Sequence, residues 1–138
     1  MDCELCGLRE REAHRVVYAD DAVVVVVNIE PLKEGHLMIL PVRHAENLGD
    51  LDPAEAKAFL GTVDRCAKVV GNLSEDPPIC LVNYGTHRSQ PHLHVHVLPS
   101  KQPLRGLFAA SEGLDRRVRA SQETLTKMAD ELRGQLKK

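Results

Sequence analysis

The sequence has no surplus of charge of one sign: 18 Lys and Arg stand against 20 Asp and Glu, a formal net charge of -2 over 138 residues. That balance gives no general attraction to nucleic acid or to a membrane surface, so an anionic ligand has to be held by local groups. No apolar run approaches the roughly 20 residues that span a bilayer, and Met1-Asp2-Cys3-Glu4-Leu5-Cys6 lacks the basic-then-apolar pattern of a secretory signal. A cytoplasmic location is the expectation, with neither nucleic acid nor membrane as partner. Internal repeats, linkers and low-complexity tracts are missing too, which leaves a single domain over residues 1–138 as the simplest organisation. Cysteine is sparse: of the four, only Cys3 and Cys6 are closely spaced. Cys66 and Cys80 sit in apolar surroundings typical of inert buried thiols. In a reducing compartment, Cys-x-x-Cys points to metal before disulfide.

What is present is an ordinary globular composition, 43% apolar and 28% charged, enough to bury a real core. Val23 to Val27 is an unbroken β-branched run, suited to a strand covered on both faces. Val16 to Tyr18 precedes it across an Asp20-Asp21 turn, and Leu37 to Leu40 has strand length between Gly35 and Pro41. Asp52-Pro53-Ala54-Glu55 reads as a helix start, with an N-cap aspartate, proline at the first helical position and a carboxylate three residues after the cap. Phe59, Leu60, Val63, Ala67 and Val70 then recur at helical spacing up to Gly71-Asn72, a natural stop. Two further strands are expected at Ile79 to Val82 and His92 to Leu98, joined by a polar loop. A C-terminal helix beginning near Ser121 carries the stripe Leu125, Met128, Leu132 and Leu136. The expected fold class is α+β, an antiparallel sheet of about five strands with one central and one C-terminal helix. Its core spans about 3–100 and a helical extension about 101–138.

The chemistry concentrates in His92-Leu93-His94-Val95-His96. Alternation along a strand sends the three imidazoles to one face, roughly 6 to 7 Å apart, and the apolar residues to the other. Such a row either binds a metal or divides the labour of a phosphoryl-type transfer. For the second, one imidazole must present a neutral nitrogen to phosphorus while its other nitrogen donates to a carbonyl, and its neighbours donate to the phosphate oxygens. Ser89 and Gln90, just before this run, are able to hydrogen-bond a phosphate, and Arg88 either reaches a distal phosphate or faces solvent.

The segment His92-Leu93-His94-Val95-His96-Val97-Leu98 resembles the signature of the histidine triad nucleotide-binding proteins. Gly35-His36-Leu37-Met38-Ile39-Leu40-Pro41 is similar to the family's Gly-His strand, Asn28-Ile29-Glu30-Pro31 to the stretch before it, and His44 to Val70 to the helix of the Fhit branch. The resemblance implies the HIT-like fold, an enzyme acting at the α-phosphate of a nucleotide, a covalent nucleotidyl intermediate on His94, a phosphate contact from His96 and a supporting role for His92. It implies Asn28 at the ribose, apolar contacts to the base from Ile29, Val26 and Leu5, and a homodimer. His36 is either near the site or purely structural. The family's phosphate loop is longer than Asn83 to Pro91, and Pro91 has no N–H to donate. Asn83, Ser89 and Gln90 remain the candidate nucleotide-binding residues there.

Some bacterial, Hint-like members resemble this chain in carrying an N-terminal Cys-x-x-Cys. That likeness implies a structural zinc held by Cys3, Cys6, His44 and His92, against the alternative of an exposed, reduced pair. Three functions stay open on these residues: hydrolysis of an adenine-containing phosphoramidate or dinucleoside polyphosphate, transfer of the nucleotide to phosphate, and zinc-stabilised nucleotide binding without turnover. No organic cofactor is expected.

Overall fold

The computed structural model describes residues 3–115 and 117–137. Its first strands are β1 (Val16–Ala19) and β2 (Val23–Val27), joined by a turn in which Asp20 Oδ1 accepts from the N–H groups of Ala22 and Val23, both at 2.8 Å. After β3 (Leu37–Pro41) the chain enters the long helix α2 (Pro53–Leu73), which follows the short α1 (Leu8–Arg11) in sequence; β4 (Pro78–Leu81) and β5 (Val95–Pro99) complete the strands. The sheet runs β1-β2-β3-β5-β4, and every neighbouring pair is antiparallel.

The β-branched run that forms β2 is covered on both faces, because alternate side chains enter two different cores. Val23 and Val25, with Leu37 and Ile39 of β3 and Val95 and Val97 of β5, pack under Phe59, Cys66 and Val70 of α2. Val24 and Val26, with Met38 and Leu40, face the other way and are covered by Leu5 and Leu8. Phe59, only 1% exposed, is the largest buried side chain of the helix layer. Phe59→Ala is expected to cost about 3–5 kcal/mol, read as a lower urea midpoint with an unchanged slope.

Helix α2 starts as its sequence dictates. Asp52 accepts from the Glu55 N–H at 2.8 Å while Glu55 returns the bond to the Asp52 N–H at 2.9 Å. It ends at Leu73 rather than at Gly71-Asn72. A Cβ on Gly71 would sit 3.3 Å from Pro78 Cδ, so this glycine allows the helix to pass close to the start of β4. The buried stripe is Phe59, Thr62, Cys66 and Val70. Leu60 is 64% exposed and takes no part, and the Thr62 hydroxyl is satisfied by the Ala58 carbonyl at 2.8 Å. Cys80 is exposed rather than buried, because β4 is the sheet's edge strand.

The triad strand is shorter than the alternating pattern suggests. Regular pairing begins at Val95; before it, the Leu93 N–H donates to the Ala45 carbonyl at 2.7 Å, so the backbone at Leu93 bonds to the loop after β3 instead of joining the ladder with β3.

The chain divides into two units, Met1–Lys101 and Gln102–Lys138. The second contains α3 (Leu104–Glu112), closed by Gly113 in a left-handed conformation at φ 66, and α4 (Gln122–Leu136), whose N-cap Ser121 accepts from the Thr124 N–H. Leu125, Met128, Leu132 and Leu136 are exposed along α4. No helix among the described residues is long and apolar enough to cross a membrane.

Candidate active site and metal centre

Because β5 is regular from Val95, His96 projects on the face opposite Val95 and Val97, beside Met38, its partner in β3. His94 enters the same cleft. This cleft, about 270 Å³, is walled by Leu5, Leu8, Ile29 and Met38, with Asn28, Ser89 and Gln90 among its polar lining.

The hydrogen bonds assign a tautomer to each histidine of the group. The Leu32 N–H donates to His36 Nδ1 at 3.1 Å, so the neutral His36 ring carries its proton on Nε2 and donates it to His96 Nδ1 at 2.9 Å. His96 therefore keeps its own proton on Nε2. His94 Nδ1 lies 2.8 Å from the His92 carbonyl, which can only accept, so His94 is protonated there and its Nε2 is the basic nitrogen. The two rings, both lining the cleft with centroids 5.2 Å apart, thus carry between them one unprotonated Nε2 and one Nε2–H donor.

Burial keeps His36 below the ordinary histidine range. Burial also pushes His96 down to about 4, helped by the neighbouring His94 and His36. The His96 ring is neutral in the folded chain at pH 6.5, whereas in the unfolded chain it titrates near that value, and His36 is shifted in the same direction. The unfolded state therefore binds more protons as pH drops below about 6.5, and stability is lost progressively toward about pH 4. A thermal midpoint that stays flat from pH 7 to 4.5 would contradict this arrangement.

His92 does not line the cleft. It is fully buried, donates from Nε2 to the Pro41 carbonyl at 2.9 Å, and turns its unprotonated Nδ1 toward Cys3 Sγ at 3.3 Å and Cys6 Sγ at 3.4 Å. His44 Nδ1 is 3.2 Å from Cys6 Sγ. The four residues each offer one ligand atom, and those atoms all lie within 4.8 Å of one another. Tetrahedral zinc, with bonds of about 2.0–2.3 Å, needs ligand atoms about 3.3–3.8 Å apart, so the set fits a closed four-ligand site. The bond from His92 Nε2 to a carbonyl is the outer contact that fixes a metal-binding tautomer. The Cys6 thiol is pushed up by burial and by its Cys3 neighbour, a repulsion between thiolates that a dication offsets. The turn carrying both cysteines is braced by Arg11, whose guanidinium donates to the Cys6 carbonyl at 2.9 Å and to that of Glu4.

Asn83 is exposed and does not line the cleft. Arg88 neither reaches the cleft nor faces solvent freely: it donates to the Glu46 carbonyl at 2.7 Å and pairs with the Glu46 carboxylate at 3.7 Å. Sequence reasoning missed Arg15 and Glu12, which line the cleft as an ion pair at 3.0 Å, with Arg15 Nε donating to the Val27 carbonyl. They lie outside every motif, and only the packing of the N-terminal segment brings them in.

The HIT domain family model matches residues 9–103. The chain belongs to the HIT domain family. Among its relatives is the adenylylsulfatase HINT3 of Arabidopsis thaliana, 30% identical over 119 residues, covering 83% of this chain and 59% of the relative. The AP-4-A phosphorylase of Mycobacterium tuberculosis is 33% identical over 88 residues, covering 61% of this chain and 45% of that one. The chain thus spans about half the length of these two relatives. A HIT family protein from Bacillus subtilis shares the fold, with a TM-score of 0.73 at 20% identity over 97% of this chain and 96% of that one. The Cys3, Cys6, His44 and His92 cluster fits the family's Cys-x-x-Cys variant.

Proposed function

We propose that this HIT domain is a nucleotide hydrolase. In this reading His94 Nε2 attacks the α-phosphorus of an adenine-containing phosphoramidate or dinucleoside polyphosphate. A nitrogen–phosphorus bond forms as the bond to the leaving group breaks, an amine departing with a proton taken from solvent water and a polyphosphate as its anion. Water then attacks the same phosphorus, the electron pair returns to Nε2, and the mononucleotide departs while a water proton passes to solvent.

The observation that carries the reading is the pairing of tautomers: the His92 carbonyl holds the proton on His94 Nδ1, leaving Nε2 basic in a ring that lines the cleft. The same hydrogen bond favours the positive imidazolium of the intermediate. The His96 Nε2–H, fixed through His36, is a donor for a nonbridging oxygen, where the transition state gathers charge. Asn28 is assigned to the ribose, Ile29 with Leu5 to the base, and Ser89 with Gln90 to the phosphate, all of which line the cleft. Asn83, exposed and outside the lining of the cleft, is given no contact in this reading.

Cys3, Cys6, His44 and His92 are the residues that would hold zinc, which with four protein ligands supplies structure rather than an activated water. The homodimer implied by family resemblance belongs to this reading and is checked by sedimentation.

The phosphorylase alternative has a specific observation behind it, the likeness to a relative named AP-4-A phosphorylase. Adenosine phosphoramidate, diadenosine triphosphate and diadenosine tetraphosphate, each incubated with and without inorganic phosphate, test both. AMP as product under either condition is the expected result. ADP formed only with phosphate indicates transfer, and no turnover of any of the three overturns the enzyme reading.

A further inference from the structure

Two cysteines that would bind metal bracket the residue that holds Gln90. Glu4 lies between Cys3 and Cys6, and its backbone N–H donates to Gln90 Oε1 at 3.4 Å. The bond is long and exposed, and it favours the amide orientation that leaves the NH₂ group as the remaining donor. Gln90 lines the cleft beside His94 and His96. The following residue, Pro91, has no N–H, so the side-chain amide supplies donors that the backbone at 91 cannot.

We propose that the Cys3–Cys6 turn, once it holds its metal, is a positioning device that aims the Gln90 amide at the α-phosphate. The inference rests on the nucleotide reading and adds a residue and a route of action to it. Metal ties Cys3 and Cys6 to His44 and His92, which fixes the Glu4 N–H between them. The Glu4 N–H fixes Gln90 Oε1, and the Gln90 NH₂ donates to a nonbridging oxygen. Without metal, the turn is held by its Arg11 bonds, the Cys6 N–H to Cys3 Sγ bond and the thiol–imidazole contacts, and the Glu4 N–H is anchored less firmly against Gln90.

The measurable signature is the preference for AMP over adenosine, because the base and ribose contacts are common to both ligands. Calorimetry with zinc-loaded and chelator-treated protein gives that ratio for wild type, Gln90→Ala and Glu4→Pro. A hydrogen bond to a charged phosphate corresponds to about tenfold in affinity. We expect Gln90→Ala to lower the ratio by about tenfold when loaded, zinc removal to lower it similarly in wild type, and zinc removal to change it little in Gln90→Ala. Glu4→Pro, read against Glu4→Ala because both lose the carboxylate that lines the cleft, deletes the N–H and leaves the four ligands in place. It should bind zinc at the wild-type ratio and still lose the AMP preference, which decides the matter if the chelated chain unfolds.

An AMP preference unchanged by Glu4→Pro, or effects of zinc removal and Gln90→Ala that add, overturns the proposal and leaves the nucleotide reading standing. A wild-type chain that takes up no zinc has the same consequence. Loaded wild type that binds neither AMP nor adenosine overturns the nucleotide reading itself.

Discussion

His94→Ala should lower kcat on adenosine phosphoramidate by at least about 10⁴-fold while leaving AMP binding little changed, because in the proposed mechanism it removes the atom that becomes bonded to phosphorus. The companion His96→Ala should cost less, about 10²–10³-fold, the usual loss when one fixed donor to a developing charge is removed. The ranking follows from the tautomers: the basic nitrogen belongs to His94 and the fixed N–H to His96. Intact mass spectrometry of acid-sensitive adducts provides the second readout. Wild type mixed with an activated adenylate should gain one nucleotidyl group, and His94→Ala none. Equal losses in both variants with no adduct in wild type would indicate direct attack by water, with the histidines serving as donors only. Full retention of function in His94→Ala would favour a binding protein.

The second large effect is expected on removing metal. At a metal concentration a thousandfold above its dissociation constant, binding contributes about 4 kcal/mol of apparent stability. In a chain of this size that corresponds to a fall of roughly 10–20 °C in the thermal midpoint when the ion is withdrawn. Cys6→Ser and His44→Ala should show the same fall at once and little further change with chelator. The chain should nevertheless keep its fold, since the core under α2 uses Val23, Val25, Ile39, Phe59 and Val97 and nothing from residues 3–6. Loss is expected in the second core, where Leu5 and Leu8 cover Val24, Val26 and Met38. Limited proteolysis should therefore cut the metal-free chain within the first dozen residues before it cuts the sheet. A midpoint indifferent to chelator would show that the thiol–imidazole contacts suffice.

Much of this architecture could be read from local pattern. The Val23 to Val27 run, the Asp52-Pro53-Ala54-Glu55 helix start and the Ser121 cap each carry their structure in a few adjacent residues, and the corresponding elements formed there. The segments that escaped have weak local signals. Helix α3 contains Gly106 and begins after Pro103 with no side-chain cap, and α1 has only four residues, little more than one turn, so neither announces its start in the sequence. Alternation placed His92 with His94 and His96, but it carries no information about where strand pairing stops. That limit is set by the Ala45 carbonyl, a long-range partner that draws Leu93 away from the ladder. Cys80 misled for a related reason: its neighbours in sequence are apolar, while its exposure depends on β4 having a partner on one side only. The grouping of Cys3, Cys6, His44 and His92 follows from antiparallel pairing of β3 with β5, which sets His44 and His92 at the same end of the sheet. The Glu12–Arg15 pair had no motif to announce it, and Arg88 is held by a loop distant in sequence.

Strand β2 divides labour residue by residue. Its odd-numbered valines from 23 to 25 serve the layer that keeps the domain folded, and its even-numbered ones sit beneath Leu5, Leu8 and Met38, which wall the cleft. A library built at Leu5, Leu8 and Met38 would therefore reshape the ligand pocket while leaving every contact of α2 untouched. In such a scaffold substrate choice can drift, in the laboratory or in evolution, without drawing on the interface that sustains the sheet.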